Sequence, residues 1–327
     1  MHFRQFGDEA RRVSEIGLGT WQLGGDWGDV GDAGAEAILA TAVANGVTFF
    51  DTADVYGLGV SEERIARYLR PYASDVFVAT KLGRFPEPGW PDNFTFTAMQ
   101  AHVEASLRRL RVETLDLTQL HCIPTAELAK GEVFEHLRRL RQAGKIRRFG
   151  ASVESMDEAL ICLEQDGLAS LQIIFNIFRQ KPINALFERA RARGVALIVR
   201  LPLASGLLAG KFTAETTFPA DDHRNYNRDG EAFNVGETFA GLPFAKGVAL
   251  ADALKPLVPD GMTMAQMAQR WVLDFEAVTT VITGATKVAQ VVGNTAVSTL
   301  PPLSPELHQV LADFYRDEVH AHIRGPY

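Results

Sequence analysis

Residues 76–120 read VFVATKLGRFPEPGWPDNFTFTAMQAHVEASLRRLRVETLDLTQL and contain a complete strand–helix–strand unit. The run Val76–Ala79 is continuously apolar, which is typical of a strand covered on both faces in a parallel sheet. Residues 98–110 repeat apolar side chains at i, i+3 and i+4 spacing, which predicts an amphipathic helix with Thr97 as its N-cap. A second apolar run, Leu115–Leu120, follows, so the stretch predicts a right-handed β–α–β unit.

The same alternation of strand and helix patterns extends over the whole chain. Helical periodicity predicts helices centred near residues 40, 66, 105, 137, 160, 187, 268 and 291, and a hairpin is predicted over about residues 2–14. Eight strand–helix units without a break in composition favour a closed (β/α)8 TIM barrel that forms a single domain, residues 1–327. The eight predicted strands are Ile16–Thr20, Val47–Phe50, Val76–Ala79, Leu115–Leu120, Arg148–Ala151, Leu171–Phe175, Ala196–Val199 and Val278–Ile282.

An open, doubly wound sheet is the alternative architecture for alternating strands and helices. That fold normally carries G-x-G-x-x-G directly after its first strand. Here the corresponding residues 17–22 read GLGTWQ and lack the last glycine. The barrel is therefore the preferred prediction.

Composition and charge limit the classes of function. The 327 residues carry a net charge of -7, which argues against a nucleic-acid partner, since phosphate-binding domains present a basic face. No apolar run approaches the ~20 residues of a membrane span, and the N-terminal residues lack the apolar segment of a signal peptide. Cys122 and Cys162 are too few for a disulfide framework or a cysteine-ligated metal site, so we expect a reduced, cytoplasmic protein without a metal.

Two segments do not fit the repeat and are expected at one end of the barrel. Residues 82–96 are rich in proline, glycine and aromatic side chains, and residues 212–239 form a long polar stretch. Long loops in compact domains are usually functional. Both segments follow predicted strands, and in this fold the loops after strands surround the active site.

Four proton-handling side chains occur where predicted strands two, three and four end. They are Asp51, Tyr56, Lys81 and His121. A phenol with a pKa of ~10 is a weak acid, but a neighbouring Lys81 ammonium would stabilise its phenolate. Asp51 would hold that ammonium, His121 would polarise a substrate oxygen, and Tyr56 would protonate the oxygen as hydride reaches carbon. Individually these side chains have ordinary structural explanations, such as a turn cap, surface residues and a buried histidine; their joint placement favours catalysis.

The chain also resembles the aldo-keto reductase superfamily over nearly its whole length. The motifs that carry the resemblance are VSEIGLGTWQLGG, FFDTADVYGLGVSEERIARYL, VATKLG, DLTQLHC and LIVRLPLASGLLAGK. The resemblance implies a catalytic tetrad of Asp51, Tyr56, Lys81 and His121, with Tyr56 as the general acid and base. It further implies that the enzyme uses NADP(H), with NAD(H) as the alternative, to reduce aldehyde, ketone or sugar carbonyls by hydride transfer.

Cofactor-binding positions follow from the same resemblance. Arg200 stands where many members stack an aromatic ring on the nicotinamide, and its charge is expected to favour the reduced ring. Lys287 is the cation nearest the expected 2′-phosphate position, which favours NADPH. The full set of positions is Gly19, Thr20, Ser152, Gln172, Arg200, Leu203, Ser205, Gly206, Lys211, Gly284, Ala285, Thr286, Lys287, Gln290 and Asn294.

An aromatic-rich group of side chains after the strands is expected to contact a small carbonyl or sugar substrate. Two other functions remain open, a sugar dehydrogenase working in the oxidative direction and a cofactor-binding regulatory subunit without catalysis. The intact tetrad, and a barrel that begins almost at Met1, favour an enzyme; the oligomeric state is left open. The expected substrate contacts are Trp21, Trp27, Val55, Phe85, Trp90, Cys122, Arg224, Tyr226 and Phe233.

Overall fold

The computed structural model describes residues 1–8, 10–25 and 30–327. Its centre is a closed barrel of eight parallel strands, in which each strand pairs with the next along the chain and the last pairs with the first. The predicted (β/α)8 barrel is therefore confirmed. The barrel strands are β3 (Ile16–Gly19), β4 (Phe49–Asp51), β5 (Phe77–Leu82), β6 (Leu117–His121), β7 (Phe149–Ser152), β8 (Leu168–Ile174), β9 (Ala196–Arg200) and β10 (Val278–Gly284).

Helices surround the barrel, and none in the described part of the chain is long and apolar enough to cross a membrane. They are α1 (Gly31–Ala44), α2 (Val60–Leu69), α3 (Phe96–Leu110), α4 (Thr125–Lys130), α5 (Glu132–Gln142), α6 (Met156–Leu163), α7 (Pro182–Ala185), α8 (Phe187–Ala192), α9 (His223–Tyr226), α10 (Phe244–Leu254), α11 (Met264–Leu273), α12 (Val288–Ala296) and α13 (Pro305–Phe314).

The predicted N-terminal hairpin consists of β1 (Phe3–Gln5) and β2 (Arg12–Ser14), which pair in antiparallel register. The connection between them carries Phe6, which is fully buried. Its ring lies 4.9 Å from the Phe77 ring and 6.2 Å from the Phe49 ring, measured between centroids. Because those two residues begin β5 and β4, the hairpin closes the amino-terminal end of the barrel with an aromatic plug.

Several predicted details differ from the structure. Helix α3 begins at Phe96 with Thr95 as its N-cap, because the Thr95 side chain accepts a hydrogen bond from the Ala98 amide; the predicted N-cap, Thr97, lies two positions later.

Other helices have no counterpart in the prediction, which assigned one helix to each strand. They are α4, α9, α10 and α13. The structure packs α9, α10 and α11 into the single connection between β9 and β10, and adds α13 after α12.

Candidate active site

Lys81 forms the centre of a hydrogen-bonded group at the carboxyl-terminal end of the barrel. Its Nζ donates to Asp51 Oδ1 at 2.5 Å, to the Thr52 carbonyl at 2.9 Å and to the Tyr56 hydroxyl at 3.3 Å. Lys81 lies in β5, Asp51 ends β4, and Tyr56 stands in the turn that follows β4. Adjacent parallel strands thus place an ammonium, a carboxylate and a phenol in direct contact.

The charge state of this group follows from burial and mutual contact. Burial disfavours the Lys81 ammonium, but Asp51 and Tyr56 outweigh it and raise the pKa of Lys81. Burial raises the pKa of Tyr56, while the Lys81 cation opposes that rise. The expected lowering by Lys81 is therefore present but does not dominate without a ligand. At neutral pH the group holds a protonated phenol beside an ammonium.

Amide side chains fix the Asp51 carboxylate from the other side. Gln172 Nε2 donates to Asp51 Oδ2 at 2.7 Å, and Gln119 Nε2 donates to the same oxygen at 3.3 Å. Ser152 Oγ donates to Gln172 Oε1 at 3.3 Å. The pair predicted to hold the nicotinamide, Ser152 and Gln172, is thus already connected to the proton-handling group.

His121 ends β6 and faces Tyr56, with its ring edge-on to the phenol at 5.7 Å between centroids. Burial lowers the pKa of His121 well below its usual value, and the Arg84 and Lys81 cations lower it further. Its buried Nδ1 has no hydrogen-bond partner among the described residues. The imidazole is therefore neutral at physiological pH and suited to a hydrogen bond with a substrate oxygen.

A cavity of about 690 Å³ opens above these side chains. Its lining brings together residues that were predicted to serve catalysis, cofactor binding and substrate binding. They come from seven of the eight barrel strands and the loops that follow them. The predicted residues that line it are Gly19, Thr20, Trp21, Asp51, Val55, Tyr56, His121, Ser152, Gln172, Arg200, Leu203, Ser205, Gly206, Lys211, Arg224, Tyr226, Phe233, Gly284, Ala285, Thr286 and Gln290.

Several residues expected at the site lie outside this lining. The Phe85 ring packs against His102, with the ring centroids 5.5 Å apart. Trp90 is 52% exposed, and its indole N–H donates to the Gly83 carbonyl. Cys122 is buried behind the wall, where its sulfur contacts Ser152 Oγ at 3.5 Å.

The expected adenosine end shows two further departures. Asn294 accepts a hydrogen bond from Gln269 at 3.0 Å and does not reach the lining. Lys287 is exposed and also lies outside the lining. Lys81 itself lies beneath the lining, covered by Asp51 and Tyr56. The predicted contact Trp27 lies outside the described residues.

The arrangement at this end of the cavity fits a bound phosphate or other anionic oxygen. Gln290 Oε1 accepts hydrogen bonds from the amides of Thr286 and Lys287 at 2.8 and 3.0 Å. These amides precede α12, and amides at a helix start favour anions. Here they are satisfied by an uncharged amide oxygen. Lys211 lines the cavity and forms no ion pair with any described residue, so its charge is available to a phosphate.

A second charged group in the wall was missed by sequence reasoning. Glu237 lies between Arg84, whose Nη2 is 3.0 Å from Oε1, and Arg200, whose Nη1 is 3.1 Å from Oε2. Glu154 also contacts Arg84 Nη2, at 2.9 Å. Arg84 and Glu237 belong to the two inserted segments, residues 82–96 and 212–239. No spacing in the sequence relates them, so only the predicted position of both segments at the barrel mouth could have suggested a contact.

Cys122, Glu154 and Glu237 bring their potential ligand atoms within 4.8 Å of one another. Both carboxylates already contact arginines. Burial raises the pKa of Cys122 to about 11, so the sulfur is a neutral thiol at physiological pH, whereas metal binding requires a thiolate. This donor set does not suit a metal ion.

Comparison with known proteins places the chain in a family. The sequence profile of the Aldo/keto reductase family matches residues 15–316. The chain belongs to the Aldo/keto reductase family.

Individual relatives span nearly the full length of the chain. The aldo-keto reductase YhdN of Bacillus subtilis is 29% identical over 89% of this chain and 86% of its own. A probable voltage-gated potassium channel subunit beta of Oryza sativa is 30% identical, covering 94% of both chains. Among solved structures, the glycerol dehydrogenase AKR11B4 from Gluconobacter oxydans matches with a TM-score of 0.78, 30% identity, and coverage of 99% of this chain and 97% of that one.

Proposed function

We propose that this chain is an NADP(H)-dependent oxidoreductase that reduces aldehyde, ketone or sugar carbonyls, with Tyr56 as the general acid. The observation that carries the proposal is the position of Lys81, whose Nζ contacts both Asp51 Oδ1 at 2.5 Å and the Tyr56 hydroxyl at 3.3 Å at the cavity floor. The proposal includes a single-domain enzyme that works in the cytoplasm and binds a small molecule, without nucleic acid or a membrane as partner.

Each side chain has one task in the reduction. The His121 imidazole, neutral because of burial, donates a hydrogen bond to the carbonyl oxygen and polarises it. Tyr56 gives its hydroxyl proton to that oxygen, and the Lys81 ammonium stabilises the phenolate left behind. Asp51 keeps Lys81 protonated and directed at the phenol.

The nicotinamide cofactor, when bound, supplies the hydride that forms the new C–H bond. Ser152 and Gln172 would hold its carboxamide, and Lys211 with the turn at Thr286 would hold its phosphates. The product is an alcohol and the oxidised cofactor, and Tyr56 regains its proton from solvent. Lys287 is the cation assigned to the 2′-phosphate, which is the basis for preferring NADPH over NADH.

Oxidation of an alcohol is the second candidate. It uses the same groups in reverse, since a general acid in one direction is a base in the other. Two relatives favour it, the glycerol dehydrogenase from Gluconobacter oxydans and an L-galactose dehydrogenase from Arabidopsis thaliana that is 29% identical over 64% of this chain.

The direct test measures NADPH absorbance with a panel of aldehydes, ketones and sugars, and NADP⁺ reduction with the corresponding alcohols. We expect Tyr56→Phe to bind NADPH as the unaltered protein does and to lose about 10³-fold in kcat, because the proton donor is removed. Tyr72→Phe, at an exposed tyrosine remote from the cavity, is the matched control. A Tyr56→Phe variant with full activity would refute the assignment.

A further inference from the structure

The wall of the cavity beside the catalytic group carries three charged side chains that touch one another. Arg84, Arg200 and Glu237 all line the cavity, and their side chains are 19%, 11% and 8% exposed. Each oxygen of the Glu237 carboxylate contacts one guanidinium, Arg84 at 3.0 Å and Arg200 at 3.1 Å. Glu237 therefore bridges the two cations.

The other partners of the arginines lie behind the wall. Glu154 contacts Arg84 at 2.9 Å but does not line the cavity. Arg200 Nη2 donates to the Val153 carbonyl at 3.2 Å. Among the described residues of the lining, the carboxylates are Glu237 and Asp51, and Asp51 is engaged by Lys81. Glu237 is thus the group that offsets one of the two guanidinium charges on the side facing a ligand.

This charged group adjoins the reacting atoms of the proposed function. After burial, the Arg84 cation is the strongest influence that lowers the pKa of His121. Arg200, like Lys81, opposes the rise in the pKa of Tyr56 that burial causes. Charges that act on both side chains from the same wall also act on a substrate bound between them, since a water-poor cavity screens them weakly.

We propose that Glu237 is a specificity-determining residue: by pairing with Arg84 and Arg200 at the cavity wall, it weakens the affinity of the site for carboxylate-bearing substrates relative to uncharged ones. The inference rests on the proposed function. A substrate carboxylate would be attracted strongly by two free guanidiniums, but Glu237 offsets one of the two positive charges and repels a second carboxylate. Like charges at close range in a buried site disfavour binding.

The backbone of Glu237 is held independently of its side chain. It lies in the short turn Val235–Glu237, where the Asn234 side chain accepts from the Gly236 amide at 2.6 Å. Ser205 Oγ donates to the Glu237 carbonyl at 3.3 Å. Replacing the carboxylate by the isosteric amide therefore removes the charge and leaves the turn in place.

The test compares two aldehydes of equal chain length, butanal and succinic semialdehyde, which differ by a terminal carboxylate. For each variant, kcat/KM is measured with NADPH at pH 7, and the ratio of the acidic to the neutral aldehyde is the readout. Glu237→Gln is expected to raise this ratio by about tenfold or more, mainly through a lower KM for succinic semialdehyde. Arg84→Gln removes a cation and is expected to lower the ratio.

Glu164→Gln is the matched control, because the Glu164 side chain is 78% exposed, pairs with Arg193 and lies outside the lining. Its substitution is expected to leave the ratio unchanged. A ratio that stays constant in both Glu237→Gln and Arg84→Gln overturns the proposal, as does an equal change in Glu164→Gln. If Glu237→Gln does not fold, the Arg84→Gln variant decides, and a ratio that does not fall overturns the proposal.

Binding measurements separate this inference from the proposed function. Calorimetry of the NADPH complex with butyrate and with butyramide reports charge preference without turnover. Glu237→Gln is expected to gain about tenfold in affinity for butyrate and little for butyramide. If no carbonyl is reduced but Glu237→Gln still gains affinity for butyrate, only the proposed function is contradicted. If butanal is reduced but Glu237→Gln does not gain affinity for butyrate, only the role of Glu237 is contradicted.

Discussion

The cavity has two charged groups that differ in origin. Asp51, Lys81 and His121 stand at the ends of neighbouring strands, so the barrel itself determines their separation. The Arg84–Glu237–Arg200 group instead joins two inserted segments to the end of β9. The first group is suited to proton transfer, which requires fixed geometry, and the second to substrate selection. In the proposed function, the regular scaffold would carry the chemistry, while the loops would adjust what the chemistry acts on.

The largest effect is expected from a substitution in the group at the strand ends, which consists of Asp51, Lys81 and His121. Lys81→Met removes the ammonium that contacts Tyr56, so the phenolate formed on proton transfer is left unstabilised in a buried site. We expect kcat to fall about 10³-fold, with the dissociation constant of NADPH changed little. Steady-state kinetics and fluorescence titration measure the two quantities.

Lys130→Met is the control for this prediction, because Lys130 is an exposed lysine paired with Glu127 on α4. It should retain normal kinetics. If Lys81→Met loses cofactor affinity and keeps its kcat, Lys81 serves binding, and the contrast between the two groups fails.

An intermediate effect is expected from pH, which should change the KM for an acidic aldehyde through the Arg84–Glu237–Arg200 group. Because the folded pKa of Glu154 is raised to about 8, this carboxyl is neutral below that pH and becomes an anion above it. Arg84, Arg200, Glu237 and Cys122 face it, so its ionisation adds one negative charge to the group. We expect the KM for succinic semialdehyde to rise about threefold to tenfold between pH 7 and 9, while the KM for butanal stays level.

In Glu154→Gln the rise with pH should disappear, since the titrating carboxyl is gone. A parallel rise for both aldehydes would instead indicate titration of the shared proton-transfer group. The pH series thus distinguishes the two charged groups within one experiment.

The smallest effect concerns Lys287, an exposed side chain at the start of α12. Lys287→Ala should lower the preference for NADPH over NADH by about threefold, since exposed ion pairs contribute only ~0.2–1 kcal/mol. The ratio of kcat/KM with the two cofactors measures it, and Lys246→Ala on α10 is a control. An unchanged ratio would mean that Lys287 does not contact the 2′-phosphate.

The parts predicted from sequence share one physical basis. Strand and helix periodicity, together with apolar runs such as Val76–Ala79, predicted the barrel because burial imposes that pattern on every repeat. Strand order then placed Asp51, Lys81 and His121 at one end, and the structure brings these three side chains and Tyr56 together. Their catalytic roles remain a prediction.

Other features had no signal in a single sequence. Phe85 and Trp90 looked like substrate contacts because they are aromatic and follow a strand, but loop conformation decides where such side chains point. The pairing of Glu237 with Arg84 spans 153 positions and depends on how two irregular segments fold over the mouth. Likewise, the hydrogen bonds of Gln290 to the turn before α12 could not be derived from periodicity.

The aromatic plug formed by Phe6 at the far end of the barrel packs on the first residues of β4 and β5, the strands that carry Asp51 and Lys81. Removing that ring would leave a cavity beneath both strands, and losing a large buried aromatic side chain costs about 3–5 kcal/mol of stability. The position of the Asp51–Lys81 pair therefore depends on packing at the opposite end of the barrel.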